Sequence, residues 1–200
     1  AEAEAFLVAE ARLLDSGRLP ERDIAGAMNA AFATDGIVVR VADGALFDRP
    51  LELVHVATGT GAVAARHAIV VGDGAVLRLV ETYRGPADAA YQSNVFTRID
   101  IGAKAVVSVA RLQAEGDKAV HIGSTVLNVA EAAEVKHLTV TAGSAVARAQ
   151  IFLTTGGAHT SVGLYGAKML AGRQHADATL LIDHALPGAN TRVLYKSVVD

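Results

Sequence analysis

Towards the C-terminus the sequence reads Gln174-His175-Ala176-Asp177, with His184 and Lys196 following. Residues two apart on an extended strand share a side, so His175 and Asp177 would stand together. A carboxylate beside an imidazole fixes its tautomer and orients it for proton or metal work. Stacked strands would bring His184 or Lys196 alongside. His175, Asp177, His184 and Lys196 are therefore candidates for a polar functional surface. The competing reading is a polar ladder that satisfies backbone groups and a partner interface.

Other chemistry-bearing residues are scattered. His55, His67, His121, His137 and His159 each lie in or beside a strand-like segment, and none forms an HxH pair. They read as structural unless the fold brings them together. Gly59-Thr60-Gly61-Ala62-Val63-Ala64 fits the G-x-G-x-x-A turn of dinucleotide sites. That turn must open a helix whose N-terminus holds a pyrophosphate. His67-Ala68-Ile69-Val70-Val71 follows at once and is strand-like, so a plain loop is expected instead.

Several function classes are excluded or disfavoured. There are no cysteines, which removes disulfides, cysteine zinc sites and cysteinyl nucleophiles. An iron–sulfur cluster held by this chain alone would lack its usual thiolates. The net charge of −3, with both signs interspersed, offers no basic footprint for nucleic acid. Glycosidase chemistry wants paired carboxylates, whereas the acidic residues are dispersed and only 4% of residues are aromatic. A repeated six-residue apolar–glycine unit, the mark of one acyltransferase class, is not visible. A β-helical enzyme acting on a carbohydrate or acyl substrate remains the alternative to a non-catalytic protein. No apolar run reaches membrane-spanning length. Ala1-Glu2-Ala3-Glu4 lacks the basic start of a signal peptide. The expectation is a soluble, cytoplasmic protein.

The elements that must position these residues fall into two blocks. Residues 1–35 are expected to be helical. Phe6, Leu7, Leu13 and Leu14 lie near one face, with Glu10 interrupting, and Asp15-Ser16-Gly17 stops the segment. Pro20 suits the first turn of a second helix, which carries an apolar stripe of Ile24, Met28, Ala31 and Phe32. Residues 36–200 switch to short strands and tight turns. Ile37 to Val41, Leu51 to Val56 and His67 to Val71 read as strands. Gly143, Gly157, Gly172 and Gly188 recur at intervals of 14, 15 and 16 residues, and Gly74 and Gly102 lie 28 apart. A weak repeat of this kind implies units that bury their apolar faces by stacking. Apolar residues make up 52% of the chain and are mostly Val, Ala, Leu and Ile, which suits a narrow core. The strands are nearly continuous apolar runs, as in a covered parallel sheet. A parallel β-helix is expected, with an antiparallel sandwich as the alternative.

Particular segments resemble the SufB/SufD family of iron–sulfur cluster assembly proteins. Asn29-Ala30-Ala31-Phe32-Ala33-Thr34-Asp35-Gly36 and Pro50-Leu51-Glu52-Leu53-Val54-His55 resemble the start of that family's β-helix. Tyr91-Gln92-Ser93-Asn94 and Arg148-Ala149-Gln150-Ile151 resemble its middle. Gln174-His175-Ala176-Asp177, His184, Pro187 and Tyr195-Lys196-Ser197-Val198-Val199-Asp200 resemble its late coils. The resemblance implies a right-handed parallel β-helix and a non-catalytic scaffold. It implies pairing with a SufB-like paralogue and a SufC-like ABC ATPase. Lack of cysteine fits the D-type branch. It further implies no cofactor bound by this chain alone, and a transient cluster at the interface with a partner. Family members continue past the Lys196–Asp200 region into further strands and a C-terminal helical domain that contacts the ATPase. A Ser-His-Gly segment there supplies a histidine assigned to the interface. The sequence shows no such segment, so it is expected to be a fragment or a shortened relative. None of the family's proposed catalytic residues transfers to it.

Overall fold

The computed structural model describes residues 23–200. The expected helix around Phe6 to Leu14 lies outside them.

The described residues are mainly β: a parallel β-solenoid preceded by a short helix. Two six-stranded sheets face each other. The odd sheet holds β1 (Val38–Val41), β3 (Ala62–Val71), β5 (Gln92–Ile101), β7 (Val120–Val129), β9 (Val146–Thr155) and β11 (His175–His184). The even sheet holds β2 (Leu51–Val56), β4 (Val76–Arg84), β6 (Val106–Gln113), β8 (Glu134–Thr141), β10 (Ser161–Leu170) and β12 (Asn190–Val199). Every ladder is parallel, and each strand pairs with the strand two places on in the sequence. The coil length is 30 residues where Val38 lies opposite Ala68 and 26 where Val120 lies opposite Val146. The glycine intervals of 14 to 16 residues were thus half-coils, one strand and one turn each. The sandwich alternative fails because it needs antiparallel pairing.

Alternation within each strand sends every second side chain inward. Ile69, Ile99, Leu127 and Leu153 form one inner column, facing Leu77, Val107, Val135 and Val162 across the interior. A gap spanned by only two such layers leaves little room for aromatic rings, which explains the aliphatic composition.

The turns leading from the odd to the even sheet stack as well. Gly44 and Gly74 adopt positive φ of 65°. Lys104 and Ala132 hold the same turn position in the next coils at 59° and 56°. A Cβ strains that conformation, so Ala132→Gly should stabilise the fold by about 0.5–1 kcal/mol in urea unfolding. Asp43 Oδ1 accepts from the Asp73 backbone N–H at 3.0 Å, and Asp73 Oδ1 from the Ala103 N–H at 2.7 Å. These bonds tie successive turns together.

Helix α1 (Ile24–Phe32) is capped by Asp23, whose carboxylate accepts from the Gly26 N–H at 2.9 Å. Its buried residues are Gly26 and Asn29. The apolar stripe points outward instead: Ile24 is 73% exposed and Phe32 67%. Hydrogen bonding decides this orientation. The Asn29 amide donates to the Ala65 and Asn94 carbonyls at 3.0 and 2.9 Å, and accepts from Arg66 at 3.1 Å. Gln150 donates to Asp23 at 3.0 Å. These polar bonds dock the helix on the outer face of the odd sheet. Among the described residues no helix is long and apolar enough to cross a membrane.

Candidate functional site

The interior is not apolar throughout. Along β4 the inward residues are Leu77, Leu79, Glu81 and Tyr83, and along β6 they are Val107, Val109, Arg111 and Gln113. Odd strands run the other way, polar first: Ser93, Val95, Thr97 and then Ile99 on β5; His121, Gly123, Thr125 and then Leu127 on β7. The two polar halves face each other, so one side of the solenoid interior is aliphatic and the other hydrogen-bonded.

At its centre Arg111 Nε lies 2.6 Å from Glu81 Oε2, with both side chains almost fully buried. Arg111 also donates to Thr125 Oγ1 at 2.7 Å and to Tyr83 OH at 2.5 Å. Tyr83 and Thr97 donate to the Glu81 carboxylate at 3.1 and 3.0 Å. Burial is the largest single influence and pushes the Glu81 carboxyl up, but the Arg111 guanidinium, the neighbouring His55 and His67 and the Thr97 hydrogen bond together hold it below the ordinary carboxylate value. Burial pushes the Tyr83 phenol up. Gly123 makes the arrangement possible, because a Cβ there would sit 2.9 Å from Arg111 Nη2.

Two histidine sites flank Tyr83. On one side the His55 ring stacks on it at 4.4 Å between centroids. His55 Nε2 lies 2.9 Å from His67 Nε2. The Ile37 backbone N–H donates to His67 Nδ1 at 3.2 Å. That bond assigns the proton of His67 to Nε2, which then donates to His55. Burial, followed by the neighbouring His55, pushes His67 down to about 4. Burial also lowers His55. Both rings are neutral near pH 7. Their facing nitrogens are engaged with each other, so this pair is a hydrogen-bonded strut and not a ready metal seat. Among the described residues no group of three or more His, Cys, Asp or Glu is placed to hold a metal ion.

On the other side the His121 ring meets Tyr83 edge-on at 4.6 Å. His121 Nδ1 lies 2.7 Å from Glu115 Oε2 and 2.8 Å from Ser93 Oγ. Ser93 also donates to Glu115 Oε1 at 3.0 Å. A hydrolytic triad needs serine and carboxylate on opposite ring nitrogens. Here both crowd Nδ1, so the geometry orients an imidazole without activating a nucleophile. Burial raises the Glu115 carboxyl most, but His121, through its hydrogen bond and charge, together with hydrogen bonds from Ser93 and Gln113 brings it below the ordinary value. A chamber of about 480 Å³ opens beside these groups. His55, His67, Tyr83, Ser93 and Glu115 line it, with Leu53 and Val95 among its apolar walls.

The four residues singled out near the C-terminus sit elsewhere. His175 and Asp177 lie on the outer face of β11, where Asp177 Oδ2 is 3.6 Å from Arg148 Nε and accepts from Thr179 at 3.3 Å. His184 closes the same strand, roughly 30 Å from His175 at the usual rise, with Nε2 2.8 Å from Thr191 Oγ1. Lys196 is on β12 in the other sheet, opposite Ala167 in register. His175 and Asp177 are therefore neighbours, while His184 and Lys196 do not join them. The structure instead joins His55, His67 and His121, which sequence spacing left scattered. One signal was available: Glu81 and Arg111 occupy the inward parity set by Leu77, Leu79, Val107 and Val109. Gly59-Thr60-Gly61 runs directly into β3, so the dinucleotide turn lacks its helix.

Residues 54–200 match the family model described as "SUF system FeS cluster assembly, SufBD core domain". The chain is similar to the iron-sulfur cluster assembly SufBD family protein Rv1462 of Mycobacterium tuberculosis, with 27% identity over 190 residues, covering 93% of this chain and 46% of that protein. It is also similar to the SufBD family protein slr0076 of Synechocystis, with 25% identity over 186 residues, covering 86% of this chain and 41% of that protein. The chain spans less than half the length of these relatives.

Proposed function

Because the chain belongs to the SufBD core-domain family, we propose that it is a D-type, non-catalytic scaffold subunit for iron–sulfur cluster assembly. It pairs with a SufB-like paralogue and a SufC-like ATPase. The observation that carries the reading is the family match over 54–200 in a chain with no cysteine. These 200 residues hold no thiolate for a nascent cluster; in this reading the thiolates come from the partner. The cluster is cargo, held across two chains, with histidine or carboxylate as this chain's donors.

The fold supports a scaffold role physically. A solenoid of parallel ladders is stiff along its axis and presents strand edges at its ends. His175, Asp177, His184 and Lys196, carried on β11 and β12, are the polar residues that this reading assigns to the partner contact. ATP hydrolysis would act by shifting the contact between the two scaffolds.

Copurification tests the reading. Tagged protein drawn from its native cells should bring down an ABC-type ATPase and a cysteine-containing paralogue. Recovery of the protein alone, with turnover of a sugar or acyl substrate, would replace the scaffold by an enzyme.

A further inference from the structure

The polar half of the interior encloses a small cavity in the middle coils. Arg111 and Gln113 on β6, His121 and Gly123 on β7, Thr139 on β8 and Ala147 on β9 are among its walls. About 10 Å³ is open to the centre of a water-sized sphere, which is room for a single water. Two small residues make the space. A Cβ at Gly123 would lie 2.9 Å from both His121 Nε2 and Arg111 Nη2, and Ala147 offers only a methyl. Arg111, Gln113, His121 and Thr139 are all more than nine-tenths buried. Several polar atoms here lack a protein partner. Gln113 Nε2 donates to Ser144 Oγ at 2.7 Å and to Glu115 Oε2 at 3.4 Å. A carboxylate only accepts, so these bonds fix which way the amide points. Its Oε1 is buried and bonded by no protein donor. Thr139 Oγ1 is buried without a protein partner as well. His121 meets Ser93 and Glu115 through Nδ1, which leaves Nε2 beside Gly123.

A buried acceptor with no donor is costly, and two orphaned atoms around one cavity point to a bound molecule. The chemistry of the walls narrows its identity. Gln113 Oε1 needs a donor, which a halide is not. The Arg111 guanidinium repels a metal cation. The occupant is therefore neutral, both donates and accepts, and is no larger than the cavity allows. We propose that this cavity is a binding site for one long-lived water molecule, which donates to Gln113 Oε1 and bonds the Thr139 hydroxyl. Through His121 Nε2 and Arg111 the water joins the Glu115–His121 group to the Glu81–Arg111 pair. The polar interior then forms one continuous hydrogen-bonded network. The site stands independently of the scaffold reading.

Water-deuteron magnetic relaxation dispersion on the purified protein tests the site, because it counts molecules held for longer than the protein takes to tumble. Ala147→Val fills the cavity from β9 and should lower that count by one. Thr139→Val keeps the side-chain shape and removes only the hydroxyl. With the water in place a hydrogen bond is lost, and the melting temperature should fall by a few degrees. In a dry cavity the same change removes a partnerless hydroxyl, and the melting temperature would hold or rise. A count unchanged by Ala147→Val overturns the site, and so does a Thr139→Val melting temperature that holds or rises. Chloride NMR line broadening that disappears in Ala147→Val would place an anion there and overturn it equally. If Ala147→Val fails to fold, the Thr139→Val melt still decides, and a count of zero in the unaltered protein overturns the site outright.

Discussion

Arg111→Leu is expected to destabilise the fold by about 3–5 kcal/mol, enough to leave much of the protein unfolded at 25 °C. The cause is Glu81. Its carboxylate is 1% exposed and lies 2.6 Å from Arg111. Removing the guanidinium leaves a buried charge whose remaining partners are the hydroxyls of Tyr83 and Thr97. Thr125 and Tyr83 each lose a donor in the same step. The pair itself contributes far less than its rupture costs, because desolvation of two charges offsets most of their attraction. The double variant Glu81→Leu/Arg111→Leu should therefore recover most of the loss. Urea unfolding of both variants gives the comparison. A double variant as unstable as the single would mean the network holds the two sheets by shape and not by charge.

Acid should destabilise the protein well before its carboxylates titrate. His67 is pushed down to about 4 by burial and by His55. His137, fully buried, is pushed down to about 4 by burial and by the nearby Arg111. Above the ordinary value of 6.5 these histidines are neutral in both folded and unfolded chains, so stability does not change with pH on their account. Below 6.5 the unfolded chain takes up protons that the folded one refuses. Stability then falls as pH drops toward 4, by on the order of 3 kcal/mol for each histidine. His137 stands in the inner column of Leu79, Val109 and Leu164. His137→Leu should therefore make the pH slope shallower, with His67 and His55 supplying what remains, and leave stability at pH 7 equal or higher. Urea midpoints at pH 7, 6 and 5 check this, and a flat profile would contradict the burial of both rings.

The fold was largely legible because its cause is local and repeated. Val-rich strands and glycine turns at half-coil intervals dictate stacking in one direction. β2 fell at the expected residues, while β3 begins at Ala62, five residues before the expected strand. The small Ala and Val side chains there gave no alternation to read. The stripe on α1 was visible in the sequence, but its direction was not. Asn29 and Asp23 set that direction through partners 36 to 127 residues away. The polar interior was harder still. His55 and His67 meet across opposite sheets, and His121 joins them two strands further along the odd sheet. Such proximity follows from coil length and register, which no spacing within one strand reveals. Only the charges of Glu81 and Arg111 at inward parity announced it.

Cluster build-up on purified components tests the scaffold role most directly. A SufB-like paralogue and a SufC-like ATPase would be supplied with iron, a sulfur source and ATP, with and without this protein. The visible absorbance of an iron–sulfur cluster should appear faster, and on a complex containing all three chains, when the protein is present. Equal build-up without it, with the protein eluting apart from the other two, would contradict the account.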